Sequence, residues 1–548
     1  MAARTANSLS YAMTLDGLLG ALALGAALFA LVPAVQRLRA SLALPLQTVL
    51  AATALLAILW LEFYEPAIFC PAGLGGVCDW FTLPGDFGTV ARKDAFLIVL
   101  AWASLAYALH HFSRVRVGSV PAMARLTAHL VDENRLGEAL SLLAPHIDLF
   151  VAASRRQGRW QRLHDSLCTF GQPNPFPLGD ANEHGLGEGW PRWLTAIVRF
   201  GARAVPAQRA AEAAALDTFQ LVHRSPQVVA YLAEQRPDLA GPYLRAKTYS
   251  RGDFSDTFLE HLIARPGSIL YQEVEQNQNL LHPIGYALPE RNRLLHALFA
   301  DCNFAAEIGA WTPIGNYLER LLDGAEKPGH VAWLNGSASW YEREWWRDPA
   351  YVSLFYFDIM VSSAIAQGVR NHMWLFYFPY FADRLTRAYD AEGEGIDRNA
   401  EFPTRSARLL YDIIRYLTKW IAVLPELPDG SPHKVLPANR DRTGTSIPFS
   451  AATALGRSFA AILRARRIDV ELLETLHSVI ARMIRDLPNN GPYVFLRQWV
   501  VSELVSGGGG TLPHDYHDQL AVLLMNTDHV LRFELEDYRA AIDAAAGR

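Results

Sequence analysis

The chain is 548 residues long, enough to bury a sizeable core, and 51% of it is hydrophobic against only 19% charged. A formal net charge of −5 supplies no global basic field, which argues against nucleic acid as a partner, and no acidic run is long enough to read as a disordered tail. The basic residues are lopsided: Lys93, Lys247, Lys327, Lys419 and Lys434 are the lysines and the rest are arginine, a mark of GC-rich bacterial coding that says nothing about mechanism.

The apolar excess lies near the N-terminus. Gly17–Val35 carries no charge, Leu42–Leu61 is interrupted only by polar Gln47, Thr48 and Thr53, and Ala95–Leu109 becomes adequate if His110, His111 and Phe112 lie among lipid headgroups. The pattern predicts an anchor over residues 1–112 with transmembrane helices at about 15–35, 42–61 and 95–112, the second ending in an interfacial belt of Trp60, Phe63 and Tyr64. A cleaved signal peptide fits poorly. The first apolar run is too long, Asp16 stands where a basic region would, and a second span follows almost at once.

Arg37 and Arg39 follow the first span and Arg114, Arg116 and Arg125 the third, whereas the 62–94 loop sets Arg92 and Lys93 against Glu62, Glu65, Asp79, Asp86 and Asp94. The positive-inside rule then makes 62–94 an outer loop and places the large domain in the cytoplasm, on a bacterial inner membrane. Within the outer loop Cys70 and Cys78 flank a turn-forming stretch, and an oxidising compartment favours a disulfide between them. Cys168 and Cys302 read as reduced. In the first span Gly17, Ala21 and Gly25 make a small-residue face for helix association, serving either a homo-oligomer or packing against the protein's own spans.

From Pro121 onward the pattern is helical. Met123, Leu126 and Leu130 line one face, and Leu136, Ala139, Leu140 and Leu143 line another after a turn at Asp132–Asn134, which predicts a helical hairpin of the solenoid kind. No repeat near 34 or 40 residues recurs. Ser225-Pro226 is a cap and first-position pair, and Val470–Ile484 is a core helix with Leu473, Leu476, Ile480 and Met483 on one face. The predicted fold class is all-α: three N-terminal transmembrane helices, then a large irregular α-helical domain, bundle or solenoid-like. Loops are expected at 171–192, 388–405, 424–447 and 506–513. The 424–447 stretch separates a main domain (113–425) from a C-terminal helical subdomain (426–548), or is a long loop within one domain.

Few residues carry chemistry. Asp390, Glu392, Glu394 and Glu401 fall at calcium-loop spacing with Gly395 between, but the long glutamates, Asp397 and Pro403 depart from that pattern, so the stretch reads as a solvated acidic turn. The doublets His164-Asp165, His514-Asp515 and His517-Asp518 are the one hint of a metal-dependent hydrolase, against a reading as helix caps. Gly507–Gly510 lacks the Gly-Lys-Ser/Thr of a phosphate loop, and Gly185, Gly187 and Gly189 follow no strand, so both read as flexible connections. No catalytic, cofactor or metal residue is assigned.

Aromatics crowd residues 340–381. They read first as core, and otherwise as a membrane-interface or partner surface centred on Trp340, Trp345, Trp346 and Trp374. Val352–Ile365, with Asp358 inside it, is too short and too polar for a fourth span. The expected function is non-enzymatic: a membrane-anchored scaffold, regulator or sensor whose helical domain binds a cytoplasmic protein. The competing classes are a pore-forming effector assembling through its spans and a membrane-tethered metal-dependent hydrolase.

Overall fold

The computed structural model describes residues 48–57, 117–155, 209–282, 284–338, 343–371, 373–435, 446–490, 493–510, 512 and 514–548, with scattered single positions between 98 and 198. These are mostly helical, and the only strands among them are β1 (Leu281–His282) and β2 (Gly285–Tyr286), paired antiparallel. The all-α class is therefore observed. The Gly17, Ala21 and Gly25 face, the Cys70–Cys78 pair, Cys168 and His164-Asp165 lie outside the described residues, as do the expected spans apart from Thr48–Ala57, a short apolar helix, and a few positions near 100. Cys302 is the free cysteine among the described residues, and it is buried.

The described helices long and apolar enough to cross a membrane are not the three N-terminal ones expected but Leu136–Ser154 and Pro349–Ala366. The second is almost wholly buried by protein, as the central helix of a large helical domain must be.

Two compact units divide the chain, Met1–Thr218 and Phe219–Arg548. In the first, α1 (Val120–Asp132) packs on α2 (Leu136–Leu143), followed by α3 (Ile147–Ser154). The turn between α1 and α2 uses Asn134 at φ 58, a left-handed conformation asparagine tolerates better than most side chains. Met123, Leu130, Leu136, Ala139, Leu140 and Leu143 are all buried as their spacing predicts, while Leu126 is only half-buried and Thr127 lies inward beside it. Helix α4 covers Arg209–Arg224.

In the second unit α5 (Pro226–Gln235) starts at Ser225, whose hydroxyl accepts from the Val228 amide, and is followed by α6 (Ala240–Arg245), α7 (Arg251–Ala264) and α8 (Ile269–Asn277). The β1–β2 hairpin leads to α9 (Arg293–Phe299), α10 (Cys302–Ile308), α11 (Thr312–Leu322) and α12 (His330–Leu334). Helix α13 (Pro349–Ala366) is capped by Asp348 and packs against α8, α10, α11 and β2. The chain then runs through α14 (Tyr377–Ala388), α15 (Arg405–Ala422), α16 (Ile447–Arg464), α17 (Val470–Asp486) and α18 (Val494–Val505) to α19 (Tyr516–Asn526), α20 (His529–Phe533) and α21 (Glu536–Ala545). Helices α15 and α16 pack on each other across the 424–447 connection, and both lie in the second unit.

One charge is fixed in the middle of α13. Asp358, 1% exposed, accepts from Lys419 Nζ (2.8 and 3.0 Å) and Trp420 Nε1 (2.9 Å) on α15, from the Tyr286 hydroxyl (2.6 Å) on β2 and from Ser362 (3.1 Å) one turn on. Burial and the adjacent carboxylate push the Tyr286 phenol far above its ordinary value, so it stays a donor. The Lys419 side chain remains 32% exposed and keeps part of its hydration.

The glycine run near the end of α18 departs from its expected role as a flexible connection. Gly507, Gly508 and Gly509 are all left-handed (φ 59, 62 and 74) and form a turn packed on α16. A Cβ on Gly508 would run into the Thr453 carbonyl, and one on Gly456 into the Glu503 carbonyl, while Arg457 Nε donates to Gly508 O (2.8 Å). Two backbones meet here, and only glycine fits.

Asp358→Ala orphans the Tyr286 and Trp420 donors and a half-buried ammonium, and is expected to lower the unfolding free energy by roughly 3–5 kcal/mol. Lys419→Met leaves the Asp358 carboxylate buried without its cation and is expected to cost about as much, whereas Asp358→Asn combined with Lys419→Met removes both charges and is expected to cost clearly less than the two single losses summed. Denaturant unfolding of the purified chain measures all three, and additive losses would contradict the arrangement.

Candidate partner-binding surface

The aromatic cluster goes mainly to the core. Trp374 is fully buried and edge-on to Trp311 (5.1 Å), and Trp345 is buried in contact with Tyr351 (5.3 Å). Trp346 is half-buried against Phe355 (5.4 Å), and Trp340 lies outside the described residues. Of the later aromatics, Phe376 and Tyr380 reach solvent.

The metal candidates are occupied otherwise. In the acidic turn the Asp390 carboxylate accepts from the Glu392 amide (2.8 Å), Asp397 accepts from Asn399 (3.0 Å), and Arg398 faces Glu392 (3.4 Å). Asp515 pairs with Arg466 (2.9 Å), Asp518 pairs with Arg548, and His517 Nε2 is bonded to the Val505 carbonyl (3.0 Å). Among the described residues no group of three or more His, Cys, Asp or Glu side chains is placed to hold a metal ion.

The C-terminal helices present a different kind of site. Helix α17 buries Leu472, Leu476, Ile480 and Ile484, and α18 buries Leu496, Trp499, Val500 and Leu504. Across their ends Arg497, itself buried, makes a bidentate pair with Asp537 at the start of α21 (2.7 Å each) and donates to the carbonyls of Ile484 (2.9 Å) and Glu534 (2.9 Å). One guanidinium thus joins α17, α18 and the α20–α21 turn, using the planar fork that arginine alone offers.

Helix α19 turns Tyr516, Leu520, Leu523 and Leu524 inward, and α21 contributes Tyr538 and Ile542. Between them α20 begins at Asp528, whose carboxylate accepts from the amides of Val530 (2.9 Å) and Leu531 (3.4 Å). This placement leaves four apolar side chains in solvent: Val522 (57%), Met525 (57%), Val530 (66%) and Phe533 (83%). Beside them a groove of about 410 Å³ is floored by Ala521, Leu524 and Ile542 and edged by Met525, Phe533, His529, Arg532, Arg539, Asp543 and Arg548. Arg539 lies 3.7 Å from Asp543, and Arg548 meets Asp518. Arg532 donates to the Met525 carbonyl (2.8 Å) and meets no carboxylate among the described residues. A second concavity of about 610 Å³ runs between α18 and α21 past Val501, Val505, Leu512, Ala541 and Ala545.

Little in the sequence marks this surface. Its signal is faint: Val522 and Met525 fall off the face set by Leu520, Leu523 and Leu524, and α20 is too short for a period to show.

Below the surface lies His477, fully buried, its ring stacked with Tyr538 of α21 (6.0 Å) and Nδ1 at 3.3 Å from the Thr527 hydroxyl at the end of α19. Burial alone pulls its pKa down to about 4. Burial pulls His223 and His433 to about 4 as well, while Asp348, facing His330 at 3.6 Å, is raised by burial to about 7.

No family model, curated protein or solved structure matches this chain.

These shifts set a pH dependence. Between pH 6.5 and 4 an unfolded histidine binds a proton that folded His477 refuses, so its stability contribution is complete above pH 6.5 and is lost as pH falls toward 4. Asp348 has the opposite sign, holding a proton when folded up to about pH 7. His477→Leu isolates one histidine with no carboxylate partner. It is expected to remove roughly 3 kcal/mol of the acid-induced loss, read as a flatter midpoint against pH in denaturant titrations. An unchanged slope would contradict the buried neutral ring.

Proposed function

We propose that this chain is a membrane-anchored helical scaffold or regulator whose large domain binds a cytoplasmic protein partner. The observation that carries the reading is the exposed apolar group Val522, Met525, Val530 and Phe533 beside the α19–α21 groove. Exposed apolar patches with polar rims recur where proteins dock, and Met525 (57% exposed) and Phe533 (83%) both line the groove itself. The rigid packing of α16 to α18 and the Arg497 clamp support the groove from below, as a preformed binding surface requires.

Membrane attachment is part of the proposal. It rests on the apolar N-terminal runs of the sequence and on the Thr48–Ala57 helix, which presents Val49 and Leu56 outward. Lipid would then be the second partner, and the large domain would face the cytoplasm of a bacterial inner membrane.

Tagged full-length protein is expected to co-purify with one partner in stoichiometric amount from detergent extracts of its own host, and Phe533→Ser is expected to release it without lowering the thermal midpoint. Retention of the partner by a folded Phe533→Ser variant would defeat this reading. For topology, a C-terminal reporter active only in the cytoplasm is expected to give full signal; a silent reporter would place the domain outside.

A further inference from the structure

The groove is selective by charge as well as apolar, and we propose that its occupant is an amphipathic helix of the partner protein with an acidic polar face. This rests on the reading of the C-terminal helices as a partner surface and adds the chemical class of the segment bound. The floor, Leu524 and Ile542, is already buried in the free protein and makes a seat for an apolar side chain, while Met525 and Phe533 stand up as walls. Three helices bound the groove and no strand edge lies near it among the described residues, which favours a helix seated in the groove over backbone pairing with an extended peptide.

The rim decides the charge. Arg532, Arg539, Arg548 and His529 edge the groove against one lining carboxylate, Asp543. Arg539 is held only loosely by Asp543 at 3.7 Å, and Arg548 is taken up by Asp518. Arg532 lines the groove with Met525 and Phe533, donates to the Met525 carbonyl (2.8 Å) and reaches its sulfur (4.0 Å), and pairs with no carboxylate among the described residues. When a partner covers Met525 and Phe533 it strips water from that guanidinium, and the complex then needs a carboxylate from the partner to meet it. A basic partner would meet the same cation without compensation and be rejected.

The test uses two synthetic helical peptides with the same leucine face, one with glutamates and one with lysines on the polar face. Each is titrated by fluorescence anisotropy against the full chain in detergent. The glutamate peptide is expected to bind at least about tenfold tighter, with the preference shrinking as salt rises. Arg532→Glu with Arg539→Glu is expected to reverse it, and Phe533→Ser to weaken both peptides. Because Phe533 and Arg532 are solvent-facing, unchanged circular dichroism and thermal midpoint show that the variants fold.

Equal affinity for the two peptides, tighter binding of the lysine peptide, no binding of either, or no effect of the double charge change would each overturn the proposal. So would concentration-dependent self-association abolished by Phe533→Ser, which would make a second copy the occupant. Transfer of a fluorophore at position 533 into added anionic vesicles would do the same in favour of a lipid surface. If the stoichiometric partner still depends on Phe533 while peptide charge is ignored, only the acidic class fails. If no partner depends on Phe533, the underlying reading fails.

Discussion

The second unit is organised around a carboxylate that has to be satisfied far from water. Asp358 lies midway along α13, where every neighbouring position is buried, and an unpaired charge there would cost several kcal/mol. Its oxygens accept from two adjacent residues of α15, from a strand residue and from its own helix, which leaves no lone pair wanting. Because Lys419 and Trp420 reach the same group, α15 cannot slide by one turn along α13 without orphaning both. Apolar packing alone would tolerate such slips, since α13 is hydrophobic on all sides and offers no preferred face. The buried charge therefore sets register, and α15 carries that register onward to α14, α16 and α17.

Helix α15 is built for this task. Arg405, Arg408, Asp412, Arg415 and Lys419 recur at three- and four-residue spacing and so share one stripe. Asp412 is as buried as Asp358 and is held by Arg408 (3.2 Å) and Arg415 (3.0 Å). The cations lie over aromatic faces: Arg405 on Trp333 (4.3 Å), Arg415 on Tyr416 (4.6 Å) and Lys419 on Tyr286 (4.8 Å). The acids are deep while Arg415 and Lys419 run outward to water, so each pair is paid for by keeping one member partly hydrated.

What was legible in the sequence was whatever is settled within one or two helical turns. The α1–α2 hairpin and the Ser225 cap are written in spacing, as is most of the apolar face of α17, where Leu476, Ile480 and Met483 are buried but Leu472 takes the inward place expected of Leu473, and the all-α class follows from such patterns. The aromatic density around 350–380 was legible as core because so much ring area has to be buried somewhere. Contacts of long sequence separation left no trace. Asp358 and Lys419 are far apart in the chain, as are Arg497 and Asp537, and each alone reads as an ordinary polar residue on a helix. The glycines at 507–509 were legible as a break but not as a packed turn, because the reason for them is the α16 backbone opposite. The groove was hidden for the same cause: an apolar residue becomes conspicuous only once the structure shows that nothing covers it.

The mounting of that groove differs from the mounting of the core. Around Asp358 the polar cluster is enclosed by α13, α14 and α15 and by the rings of Phe378 and Trp420. Helices α19 to α21 are held by polar contacts spread along their length: the Arg497–Asp537 clamp, neutral His477 between Tyr538 and Thr527, Tyr516 donating to the Leu504 carbonyl (2.7 Å), and Asp515 on Arg466 (2.9 Å), over an apolar layer that includes Leu520, Leu523, Leu531 and Ile542. Arg497 is enclosed, but Asp537 is nearly half exposed, so the clamp can open at the α21 end without exposing the main core. Opening at that end would loosen the α21 side of the groove while the α16–α18 packing beneath it stays in place, so the rim can adjust over a fixed base. A partner that fills the groove would cover Met525 and Phe533 and so stabilise the C-terminal helices on binding.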